Sequence, residues 1–208
     1  MCERDMKSIR YSVHFPLLIV AMFVFWLAKD VYLPYWIANF DFFHYGLMGL
    51  LHATCIVVSL RDRRANHPII AICFLALAAI WGAVTPILGL WGSVVWTPLL
   101  AILPPSNSNL VFLFLTGSAI GAAGYWLLVR LFWMKSLRRA DCLRTVALCV
   151  AATVLSFNIQ EVLSHFKSES VVSLTSTGAW WFAFSISLYW SETSRYPSKS
   201  AAAIVDVR

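Results

Sequence analysis

Apolar positions in this chain come in long blocks, not in alternating or short amphipathic runs. A helix that crosses a bilayer needs about 20 mostly apolar residues, and ~17 at the short end. Blocks of that size fall at 11–28, 42–60, 68–90, 109–133, 145–165 and 171–190. The pattern predicts an all-α fold, a polytopic integral membrane bundle of six transmembrane helices. Residues 1–194 form one six-span domain in this reading, and 195–208 a short flexible cytoplasmic tail, polar and too short to fold alone.

The punctuation between blocks refines the picture. Pro16 is expected in the first turns of span 1, where a missing amide donor costs least. Tyr32, Pro34, Tyr35 and Trp36 follow it and suit the headgroup level, where aromatic side chains gather. The longest connection, TPILGLWGSVVWTPLLAILPPSNSN at 85–109, carries no charge. Pro86, Pro98, Pro104 and Pro105, with Gly89 and Gly92, argue against one continuous helix there. Its most helical piece, Ser93–Leu103, is too short to span. A re-entrant or interfacial segment around 85–108 is therefore expected, with a broken seventh span as the alternative.

Composition agrees with the pattern. Of 208 residues, 60% are hydrophobic and 12% charged, and the mean hydropathy is +0.74. A soluble domain carries about 45–50% apolar residues. The net charge of +6 could suggest nucleic acid, but its placement argues for topology instead. With the N-terminus inside, fourteen of the sixteen basic residues face the cytoplasm, and only Lys29 and Lys167 lie outside. That asymmetry predicts both termini in the cytoplasm, in a bacterial inner membrane. The basic clusters then need no partner beyond the lipid bilayer, and no nucleic-acid partner is expected.

Cys2 and Cys142 fall on the inner side, and Cys55, Cys73 and Cys149 in the inner halves of their spans. None lies in an outer loop where oxidation could pair it, so no structural disulfide is expected. The stretch FVFWLAKD offers no small-residue cleavage site, so span 1 reads as a retained signal anchor.

Candidate chemistry concentrates on two spans. In span 2, Asp41, His44, Met48, His52, Cys55 and Ser59 share a stripe about 80° wide, opposite Phe43, Leu47, Leu50, Thr54 and Val57. Polar groups at membrane depth turn toward the bundle interior or a wet cavity. In span 5, Asn158, Glu161 and His165 form a second polar edge within about 60°, at the same depth as Asp41 and His44. Together Asp41, His44, His52, Asn158, Glu161 and His165 make a candidate intramembrane cluster. It could be a packing network, a proton- or ion-handling site, or a metal site. Thioether and thiol suit a soft ion, but His44, Met48, His52 and Cys55 extend over about 16 Å of helix and cannot close one coordination sphere. Haem needs facing imidazoles, and only His44 with His165 matches in depth. No cofactor is expected, and the question of a metal stays open. His14 and His67 fall near the inner interface, where histidine is commonplace.

Span 4 carries TGSAIGAAG, in which Gly117, Gly121 and Gly124 form a small-residue face for close helix packing. Its partner is either another span or a second copy. Six spans with the Gly117–Ser118 pair superficially resemble rhomboid proteases. Ala119 replaces that family's next glycine, however, and span 6 has no histidine to act as base. Three classes follow. The leading one is a non-enzymatic membrane subunit, scaffold or sensor, acting as a homo-oligomer or with membrane-protein partners. The second is a small proton or cation channel or transporter using the two polar edges. The third is a metal- or redox-dependent membrane enzyme.

Overall fold

A computed structural model describes residues 3–27, 41–60, 68–94, 108–164 and 169–194. The apolar blocks fold as helices: α1 (Glu3–Leu27), α2 (Asp41–Ser59), α3 (Pro68–Val94), α4 (Ser108–Phe132), α5 (Arg139–Ser164) and α6 (Glu169–Thr193). Among the described residues there is no strand. The α4–α5 connection shows how a boundary is set. The Arg138 amide donates to the Asp141 carboxylate at 2.7 Å, satisfying a donor the helix leaves free at the start of α5.

Two boundaries correct the sequence reading. α1 begins at Glu3, so Pro16 sits in its interior and not in its first turns. The charged segment before span 1 continues the helix. α3 also runs through Pro86 to Val94, so residues 85–94 belong to a continuous helix and not to a re-entrant segment. Proline inside a helix is tolerated where hydroxyl groups and neighbouring helices support the turn. Here the Thr85 hydroxyl donates to the Trp81 carbonyl at 2.7 Å in the turn leading into Pro86. Residues 95–107 lie outside the described residues, and so does the tail, 195–208.

Each helix packs on the next along the chain, and α1 returns against α6 to close a ring. The α2–α3 seam is the tightest. A Cβ on Gly49 would overlap the Ala78 carbonyl, and one on Gly82 the Tyr45 carbonyl. Only glycine allows this backbone-to-backbone approach. In the middle, Leu18, Met48, Ile56, Phe74, Tyr125, Trp181 and Phe184 are buried.

Polar groups share the interior with this apolar core, and large apolar residues cover much of the exterior. Buried positions include His14, His52, Ser118, Thr145, Ser185 and Ser187, while Ile19, Ile69, Ile80, Leu131 and Leu155 are each more than half exposed. Pro68–Gly89 and Phe114–Phe132 are long and apolar enough to cross a membrane, yet only 17% and 33% of their residues are buried. The core helix of a soluble protein would be mostly covered. Tyr11–Phe25 and Phe43–Ser59 are shorter apolar stretches.

Candidate functional site

The periodicity of α2 sets the site. Met48, His52, Cys55 and Ser59 are buried along one edge, and Phe43, Leu50 and Thr54 are exposed on the other. His52 has no exposed surface and reaches two other helices. Its Nδ1 lies 3.0 Å from the Tyr125 hydroxyl on α4, and its Nε2 lies 2.9 Å from Ser185 Oγ on α6. The same serine oxygen lies 3.0 Å from Nε2 of His14 on α1. Nδ1 of His14 returns to α2, 2.8 Å from Ser59 Oγ. Four helices therefore meet through one unbroken chain of side chains.

The direction of these bonds follows from the Ser59 end. Its hydroxyl donates to the Cys55 carbonyl, so its oxygen must accept from His14 Nδ1–H. His14 Nε2 then accepts from Ser185, whose oxygen accepts from His52 Nε2–H. His52 Nδ1 is left to accept from the Tyr125 phenol. With both imidazoles neutral, each has a defined tautomer and each side-chain group in the series has a partner, as burial demands.

Aromatic rings enclose the chain. Trp181 lies tilted over His52 with centroids 4.6 Å apart, and Tyr125 and Phe184 lie at 5.4 and 5.6 Å. Tyr11 and Phe15 meet His14 edge-on at 5.9 and 5.8 Å. The two imidazole centroids are 5.9 Å apart.

A second polar group ties α4, α5 and α6 together. Ser118 Oγ accepts from the Trp180 indole and the Thr153 hydroxyl, each at 2.9 Å. Ser118 is thus a packing hub between the three helices. Nearby, Thr145 and Ser187 are 2.7 Å apart.

The other residues singled out from sequence fall as follows. His44 is half-buried, with its ring edge-on to Phe25 at 5.9 Å. Asp41 opens α2, and Asn158 and Glu161 sit on α5. Their side chains lie outside the described residues, as does His165 altogether. Gly121 and Gly124 face α3 of the same chain: a Cβ on Gly121 would stand 2.7 Å from Thr85 Cγ2, and one on Gly124 would enter the Trp81 ring. A Cβ on Gly117 would stand 3.5 Å from Gly89 Cα, an ordinary contact. The Trp81 indole also donates to the Gly121 carbonyl at 3.1 Å. Among the described residues no three histidine, cysteine or acidic side chains gather as a metal site. Cys55, Cys73, Cys142 and Cys149 are free thiols.

Sequence reasoning passed over His14, the hub between α1 and α6. The signal was present: Tyr11, His14, Leu18, Met22 and Phe25 recur at three- and four-residue spacing, and all are buried. Compared with family models, curated proteins and solved structures, the chain matches none.

Proposed function

We propose that this chain is a six-span integral membrane protein, with both termini in the cytoplasm of a bacterial cell. In this reading it is a non-enzymatic subunit, scaffold or sensor that works by self-assembly or through membrane-protein partners. The apolar exterior carries the reading: His14, His52 and several hydroxyls are interior while isoleucine and leucine cover much of the outside. Water would penalise that exterior, whereas hydrocarbon accepts it. The fourteen-to-two charge bias supports the orientation. The small-residue faces of α2, α3 and α4 are consumed inside the chain, so any assembly uses the outer apolar faces.

The test is alkaline carbonate extraction with reporter fusions at both ends. Retention in the pellet with cytoplasmic reporter activity is expected; release into the supernatant removes the reading. Native mass in detergent then separates a single copy from an assembly. A second reading, a small proton or cation path, draws support from the buried chain through His52. Purified protein in liposomes that passes no ions above empty vesicles, across pH, would dispose of it.

A further inference from the structure

We propose that the chain of side chains between the Gly49 and Cys55 carbonyls is a binding site for one proton, shared by His14 and His52. The inference rests on hydrogen-bond stoichiometry. Ser59, His14, Ser185, His52 and Tyr125 join in series, and a backbone carbonyl terminates each end. In the neutral state these five groups bring five hydrogens to six links. One link must be empty. The tautomers derived above put the vacancy between the Tyr125 hydroxyl and the Gly49 carbonyl, at 3.5 Å the longest contact of the series.

One added proton fills that vacancy without breaking any bond. Water supplies the proton, which ends as a new N–H bond on one imidazole, and no electrons are transferred. With His52 doubly protonated, its Nδ1–H donates to the Tyr125 oxygen and the phenol turns to the Gly49 carbonyl. Passing one hydrogen on through Ser185 moves the charge to His14 and leaves every link filled. A second proton has no link to occupy, and it would place two cations in rings 5.9 Å apart.

The surroundings oppose and favour the charge in identifiable ways. A cation at membrane depth is costly. The Trp181 ring tilted over His52 at 4.6 Å offsets part of that cost. Among the described residues, the titratable groups facing the chain are Tyr11 on α1, Cys55 on α2, Tyr125 on α4 and Tyr189 on α6, the last against Tyr11. Among the described residues, no carboxylate, lysine or arginine hydrogen-bonds or pairs with either imidazole.

The experiment uses the full chain in lipid nanodiscs, labelled with ¹⁵N-histidine, with His44→Gln, His67→Gln and His165→Gln to leave two reporters. Acidification from pH 8 to 3 is expected to produce doubly protonated imidazole that levels off at one ring per chain, with both reporters following a single curve. No such signal at pH 3, or two rings per chain, overturns the proposal. Tyr125→Phe and Ser185→Ala each remove one hydrogen and two links, which leaves no vacancy. At the pH where the parent is half protonated, each is expected to hold at least tenfold less imidazolium. Parent-like protonation in a variant that elutes as the parent does would also overturn it.

Discussion

The α2–α3 seam and the α1–α2–α6 junction hold neighbouring helices by opposite means. At the seam, Gly46 and Gly49 of α2 meet Ala78, Ala79 and Ala83 of α3, and Gly82 of α3 meets the Tyr45 backbone, so the helices touch backbone to backbone. At the junction, His14 and His52 span a wider gap with directed bonds to hydroxyls. Close approach tolerates no added atom but is indifferent to charge. Directed bonds tolerate small changes of shape but depend on where each hydrogen sits. The first makes a fixed seam, and the second a junction that can respond to protons.

The sharpest way to break the contrast is Gly82→Leu or Gly49→Leu. Either side chain collides with backbone, which cannot move aside as a side chain can. Loss of monodisperse folded protein on size exclusion is the expected result. Next comes His52→Ala, which removes a fully buried ring and takes one partner each from the Tyr125 and Ser185 hydroxyls. Destabilisation of about 2–5 kcal/mol is expected in denaturant titrations in micelles. Ser185→Ala cuts the link between the two histidines and leaves the rings in place. A cost of up to about 1.7 kcal/mol is expected, the upper range for interhelical bonds in membranes. Trp180→Phe keeps the ring packed on Phe184 and loses only the bond to Ser118. About 0.6 kcal/mol is expected by the same measurement. If His52→Ala proved as disruptive as Gly82→Leu, the two regions would not differ in kind.

Much of the helix content was legible because block length alone signals it, and the inward edge of α2 because period 3.6 places Met48, His52, Cys55 and Ser59 in register. Pro86 misled for a physical reason. A proline removes one amide, but Thr85 beside it and the packing of α3 between α2 and α4 keep the helix going. His14 was missed because one histidine near a membrane interface says nothing until Ser185, 171 positions away, is brought to it. The seam was readable in YGLMG and AAIWGA, but small residues do not announce which helix they face. Gly121 illustrates that ambiguity: its neighbour is Thr85 of the same chain, not a second copy.

The placement of Ser185 on α6 has a consequence for biogenesis. In the membrane reading proposed above, translation delivers His14 and His52 to the bilayer long before the serine to which both rings bond. While only the first five helices are inserted, two imidazole nitrogens wait without their common partner. A nascent chain halted before α6 should therefore be an open, polar-cored intermediate that quality-control proteases can grip, and arrival of the final helix the step that seals the barrel of helices.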